Sequence, residues 1–161
     1  MGKVFVFGKN IDTDQIYPGR FVELTDVKDV AAHAMEGADP DFVTHCKPGD
    51  YIVAGTNFGC GSSREHAAIT LKAVGVGAVL ADSFARIFYR NGINMGLPLL
   101  VCPGLSTMVR TGQAISVDVK SGEIRDAAGM LIATAQPVSE YMMHILDAGG
   151  IKPLLRKEFA A

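Results

Sequence analysis

The residues best suited to chemistry lie in one run, Asn57-Phe-Gly-Cys-Gly-Ser-Ser-Arg-Glu-His66. Two serine hydroxyls, a guanidinium and a carboxylate follow two glycines. Gly59 and Gly61 allow a sharp turn and a close approach of backbone to a ligand. Arg64 carries a permanent charge on a planar fork of donors, matched to a carboxylate or phosphate. Ser62 and Glu65 have the S-x-x-E spacing of a capping box, so a helix is expected to start here. Its free N–H groups and positive dipole end suit an anion. A strand, a glycine turn and a capped helix also occur in α/β domains that bind nothing, so spacing alone leaves both readings open. The Walker pattern is absent because no Lys-Ser or Lys-Thr follows the glycines, and G-x-G-x-x-G fails because position 64 is arginine.

The elements that must position this run can be read from the pattern around it. Tyr51 to Gly55 reads as a strand entering it, and Ala67 to Val74 as the helix leaving it. Ala78 to Ala81 and Leu97 to Cys102 read as buried strands. Ser83 to Asn91 reads as a helix capped by Asp82 or Ser83. This alternation predicts βαβ units on a largely parallel sheet. Lys3 to Phe7 is a further strand, closed by the turn formers of Gly8 to Asp14. Asp26 to Glu36 has helical spacing up to Gly37. Toward the C-terminus, Ala114 to Val119 alternates as a strand, Ser121-Gly122 turns, and Glu123 to Arg125 returns as a hairpin. Ser139 to Ala148 reads as a helix capped by Ser139 and stopped by Gly149-Gly150. Met142, Met143, Ile145 and Leu146 on it are assigned to the core. No repeat or linker is visible, so residues 1–161 are expected to form a single domain.

Other candidate residues carry weaker signals. Asp12 and Asp14 have a ligand-like spacing, but the calcium-loop pattern does not continue, and a turn with side chain to backbone bonds is the favoured reading. His33 and His45 read as surface or helix-end residues. Arg86 and Arg90 share a helix face and are assigned to a solvated one over an anion site.

Composition excludes several functions. A net charge of −2 over 161 residues argues against a broad basic face for nucleic acid. The absence of tryptophan argues against a base-stacking platform. Cys46, Cys60 and Cys102 are isolated and form no C-x-x-C pair, so neither a zinc site nor a disulfide framework is expected. Reduced thiols in a cytoplasmic protein are the expectation. No signal peptide or membrane-spanning run is visible, so no membrane association is expected.

Three stretches together resemble one family. They are Asn10-Ile-Asp-Thr-Asp14, Asn57 to Ala67, and Asp82-Ser-Phe-Ala-Arg-Ile87 with Asn91 and Gly92 after it. In this order, over essentially the whole chain, they resemble the small subunits of 3-isopropylmalate dehydratase, which are similar to the swivel domain of aconitase. The resemblance implies a swivelling β/β/α-type α/β domain. Its central sheet would be mostly parallel, with a C-terminal hairpin and helix. It implies a hydro-lyase of leucine biosynthesis, converting 2-isopropylmalate to 3-isopropylmalate through isopropylmaleate, active only with a large subunit. This chain would bind no metal or cofactor itself, and the large subunit would carry a [4Fe–4S] cluster.

By motif position the resemblance assigns Ser62 as the catalytic serine, acting as an alkoxide supported by the N–H groups of Ser63 and Arg64. Ser63 and Arg64 would contact substrate carboxylate, Asp14 would orient an arginine or the serine, and Arg20 would be a further carboxylate contact. Phe21, Val22, Glu23 and Leu24 stand where relatives carry a substrate-selecting loop. Homoaconitase-type relatives place an arginine near position 23. A glutamate there would repel a distal carboxylate, whereas Phe21, Val22 and Leu24 suit an apolar side group. Citramalate and dimethylmalate remain as alternative substrates, because a methylene in a pocket is worth only about 1–3 kcal/mol. A stand-alone anion-binding module is the alternative of a different class.

Overall fold

The computed structural model describes residues 1–159. Its strands are β1 (Gly2–Val6), β2 (Tyr51–Ala54), β3 (Ala78–Ala81), β4 (Leu99–Val101), β5 (Ala114–Val117), β6 (Glu123–Asp126) and β7 (Leu131–Thr134). Its helices are α1 (Thr13–Ile16), α2 (Val27–Ala31), α3 (Phe42–His45), α4 (His66–Val74), α5 (Arg86–Asn94), α6 (Glu140–Asp147) and α7 (Ile151–Phe159). All seven strands share one sheet in the order β4-β3-β2-β1-β5-β6-β7. The four strands β1 to β4 run parallel, and β5 to β7 are antiparallel. β1 is the seam between the two halves. It pairs in parallel with β2 (Phe5 opposite Ile52) and antiparallel with β5 (Gly2 opposite Ile115).

Why the parallel strands read as continuous apolar runs is plain from their burial. All four residues of β3 are buried, and neighbours along each strand pack into opposite layers. Phe5, Ile52, Val79 and Leu99 face one core with Ile16, Phe42, Leu71 and Phe88. Val4, Val53, Leu80 and Leu100 face the other, with Leu105, Ile115 and Ile124. A sheet covered on both sides needs apolar residues at every position. α4 and α5 are the crossovers between β2 and β3 and between β3 and β4, as the βαβ reading requires.

Several local expectations change. α4 begins at His66, and Glu65 at its N-cap makes no side-chain capping bond. The Ser62–Glu65 capping box therefore does not form. A capping box forms at α1 instead, where Asp12 Oδ1 accepts from Gln15 N at 2.8 Å and Gln15 Oε1 accepts from Asp12 N at 3.0 Å. α5 starts at Arg86 rather than Ser83, because both expected caps are engaged elsewhere. Asp82 Oδ1 accepts from Gly104 N, and Ser83 Oγ accepts from Asn57 N. α2 ends at Ala31 rather than Glu36. The Met35 amide donates instead to Ile16 O of α1 at 2.7 Å, with Met35 at φ 57°. The hairpin extends into a third strand, β7, and α7 follows the Gly149-Gly150 stop. Pro153 sits in the first turn of α7, where no intrahelical N–H is needed.

The loops leaving the carboxyl ends of β1, β2 and β3 meet at one end of the sheet. Phe58 bridges to Phe84 after β3, and Asp12 bridges to Cys60. In open parallel sheets this is where ligand crevices form. Gly59 has φ 86°, and a Cβ there would stand 2.2 Å from Phe88 Cγ. A Gly59→Ala change combines a left-handed backbone penalty of about 1–2 kcal/mol with overpacking of about 1–3 kcal/mol. Urea unfolding is expected to register a loss of about 2–5 kcal/mol.

Candidate functional site

Two backbone bonds bring the glycine loop against the start of α1. Gly59 N donates to Ile11 O and Thr13 N donates to Cys60 O, both at 2.7 Å. They carry Ser62 to the side of Thr13. Ser62 N donates to Thr13 Oγ1 at 3.1 Å, which directs the threonine's own proton to Ser62 Oγ at 3.4 Å. From the other side, Arg64 approaches the same oxygen with its amide at 3.4 Å and with Nε at 3.2 Å. Ser62 Oγ thus lies among three donors, one of them charged, and its side chain is exposed. The bonds are long, as is common before a substrate closes a site. Such a cluster stabilises negative charge on an oxygen in the way an oxyanion hole does.

A cleft beside this oxygen is lined by Thr13, Asp14, Tyr17, Ser62, Arg64, His66 and Ala67. Its enclosed space is about 10 Å³, room for about one water. Asp14 Oδ1 accepts from Gly19 N at 2.7 Å, which folds the chain after α1 back toward Arg64. A Cβ on Gly19 would lie 3.2 Å from Arg64 Nη1 and 3.3 Å from Asp14 Oδ1. Arg64 forms none of the ion pairs found among the described residues. Its terminal amino groups are therefore open to an anion at the cleft mouth.

Tyr17 is buried, its hydroxyl donating to Phe21 O at 2.7 Å. Burial, and secondarily the Asp29 charge, push its phenol above the ordinary value, so it stays a neutral donor. The His66 ring stacks on Tyr17 with centroids 5.7 Å apart. His66 Nδ1 is buried with no hydrogen-bond partner among the described residues.

Of the residues the sequence singles out, Asp14, Ser62 and Arg64 meet at this cleft, and the others do not. Ser63 is exposed and uses its carbonyl to accept from Asn91 Nδ2 at 3.3 Å. The amide that reaches Ser62 Oγ is that of Arg64. Arg20 pairs with Glu36 at 3.3 Å, and its guanidinium lies 4.6 Å from the centre of the Phe21 ring. Phe21, Val22 and Leu24 are half-buried and Glu23 is exposed, and none lines the cleft. Arg86 and Arg90 are exposed on α5 without a carboxylate partner among the described ion pairs. Thr13, Tyr17 and His66 escape sequence reasoning. The signal available for Thr13 was its place between Asp12 and Asp14, and for His66 its place at the end of the motif.

No group of three or more His, Cys, Asp or Glu side chains able to hold a metal occurs among the described residues. No helix of the described residues is long and apolar enough to cross a membrane.

The cysteines differ sharply. Burial, and then the Asp50 charge, push the Cys46 thiol up to about 11. Burial, and then the Asp82 charge, raise Cys102 as well. Cys60 is partly exposed on the glycine loop. A raised thiol stays protonated until the pH climbs toward its new value. At pH 8 the thiolate fraction of Cys46 is about 0.1 %. An aromatic disulfide reagent at pH 8 is therefore expected to modify one thiol, Cys60, in the native protein and all three in denaturant.

The family model of the aconitase C-terminal domain matches residues 9–103. The chain is 52% identical over 157 residues to the 3-isopropylmalate dehydratase small subunit 1 of Methanopyrus kandleri, covering 98% of this chain and 92% of that one. It is 50% identical over 159 residues to the isopropylmalate/citramalate isomerase small subunit of Methanocaldococcus jannaschii, covering 99% and 95%. A crystal structure of a 3-isopropylmalate dehydratase from Methanocaldococcus jannaschii superimposes with a TM-score of 0.92 at 41% identity, covering 99% of this chain and 94% of that one.

Proposed function

From the premise that the chain belongs to the aconitase C-terminal domain family, we propose that it is the small subunit of a 3-isopropylmalate dehydratase. It works with a large subunit in leucine biosynthesis, in the cytoplasm. The observation that carries this reading is the exposed Ser62 Oγ set among the Thr13 hydroxyl, the Arg64 amide and Arg64 Nε. The reaction takes a proton from one carbon of a hydroxy acid and the hydroxyl from its neighbour, together one water, giving isopropylmaleate, then returns water in the opposite sense.

Ser62 Oγ is the acceptor of the carbon-bound proton. The three donors favour its anionic form, and Arg64 Nε supplies the only formal positive charge among them. The terminal amino groups of Arg64 bind a substrate carboxylate, which turns the reacting carbon toward Ser62. Asp14 holds Gly19 and so fixes the corner beside Arg64. A cleft with room for about one water cannot enclose a branched hydroxy acid. This supports a site completed by the large subunit. The donor set of this chain does not fit an iron–sulfur cluster, because two of its three cysteines are buried and no ligand group forms among the described residues. A [4Fe–4S] cluster belongs with the large subunit in this reading. An apolar side group suits Phe21, Val22 and Leu24 better than a second distal carboxylate does, because Glu23 would repel it. A methyl-bearing citramalate differs by too little to be refused outright.

Reconstitution with the large subunit tests the reading. The complex is expected to hydrate isopropylmaleate, and this chain alone to do nothing. Ser62→Ala is expected to lower kcat by about 10²–10⁴-fold while the complex still assembles on a sizing column. Arg64→Lys is expected to raise KM, because a point charge replaces a bidentate fork, and to lower kcat as well, because the Nε donor to Ser62 Oγ is lost. Turnover by the isolated chain, or full activity of Ser62→Ala, contradicts the proposal.

A further inference from the structure

The loop after Gly19 does not hang free at the edge of the cleft. Phe21 is fixed on its ring by His33, whose imidazole stacks on it with centroids 3.6 Å apart and planes 11° apart. The Arg20 guanidinium lies over the same ring at 4.6 Å. One carboxylate ties both partners together. Glu36 Oε1 accepts from Arg20 at 3.3 Å, and Glu36 Oε2 meets His33 Nδ1. The segment bearing His33 and Glu36 is itself anchored on α1. Met35 N donates to Ile16 O at 2.7 Å, and Gly37 N donates to Gln15 O at 3.0 Å. A Cβ on Gly37 would stand 2.6 Å from Gln15 Cα, so the two backbones touch. On the cleft side, the Tyr17 hydroxyl holds Phe21 O while its ring supports His66.

We propose that His33 and Glu36 are positioning residues that clamp the Arg20–Leu24 loop at the cleft edge and thereby set which hydroxy-acid side group the enzyme accepts. This rests on the dehydratase reading above. The physical argument is one of stiffness. The segment's own backbone closes a short 3-10 turn over Gly19–Phe21, with Val22 N donating to Gly19 O at 3.2 Å and Leu24 N to Phe21 O at 3.0 Å. This shapes it locally, while side chains outside it fix where it lies against α1. Here a shared carboxylate converts two weak contacts on one ring, a stack and a cation over its face, into a closed set. Each member restrains the others, so removing the carboxylate releases Arg20 and His33 together. The loop then samples more poses, and a pocket that samples poses discriminates less between side groups of different size. The clamp also keeps Arg20 away from the cleft, which leaves Arg64 as the guanidinium beside Ser62.

Two measurements on Glu36→Ala and His33→Ala test this. In the isolated chain, amide hydrogen exchange of residues 20–24 is expected to rise about tenfold, with α4 unchanged as the control for folding. In the complex with the large subunit, the ratio of kcat/KM for isopropylmalate over citramalate is expected to fall about threefold or more. The change should come through KM for the larger substrate, with kcat for citramalate retained. Unchanged loop exchange overturns the clamp whatever the enzyme does. Faster exchange with an unchanged ratio, or an equal loss of kcat for both substrates, overturns the link to selectivity. If the wild-type complex acts on neither compound, the dehydratase reading fails and the selectivity claim with it, while the exchange result still decides the clamp.

Discussion

The structure turns on a crossing of two backbones with no side chain between them. Gly59 and Cys60 lie against Ile11 and Thr13 through two 2.7 Å hydrogen bonds. The space behind Gly59 is filled by the Phe88 ring, which leaves no room for a Cβ. Everything downstream follows from this contact. It sets Thr13 against Ser62, and it delays the start of α4 until His66. The residues between, Ser62 to Glu65, remain an exposed arch whose donors are not absorbed by a helix. A conventional cap at Ser62 would have turned its hydroxyl toward helix amides. The observed arch turns the Arg64 amide and Nε toward the hydroxyl instead.

Magnitudes show how far this chain can go alone. Hydrogen bonds to a charged group are worth about 1.5–3 kcal/mol each at good geometry. The three at Ser62 Oγ are 3.2–3.4 Å long and exposed, so they favour the anion only in part. An alcohol ordinarily titrates far above the neutral range, so the Ser62 hydroxyl still stays protonated at neutral pH. The remaining activation must come from a closed, drier site, where each of these interactions strengthens. The open mouth and the small enclosed space of the cleft agree with that division of labour. An exposed arginine and an exposed serine are what half of a shared site leaves uncovered.

Much of this was legible in the sequence, and the exceptions have physical causes. β3 and β4 announce themselves because burial on both faces demands unbroken apolar runs. Ser139 at the head of α6 and the glycines after it mark that helix correctly. The S-x-x-E pattern at Ser62 misleads because capping residues cap only when no tertiary contact competes, and Thr13 competes here. Asp82 and Ser83 mislead for the same reason, having been taken by Gly104 and Asn57. β7 carries little signal because an edge strand of four partly exposed residues needs no strict alternation. The meeting of Asp14, Ser62 and Arg64 follows from the motif order. The roles of Tyr17, His33 and Glu36 do not, since stacking between distant residues leaves no local pattern.

The central claim is that position 62 favours an anion before any partner or substrate arrives. Titrating the thiolate absorbance of Ser62→Cys in the isolated chain, against the wild-type baseline, measures this directly. The account predicts a new thiol whose pKa lies about one unit or more below the ordinary ~8.5, drawn down by Arg64. A new thiol titrating at or above that value contradicts it.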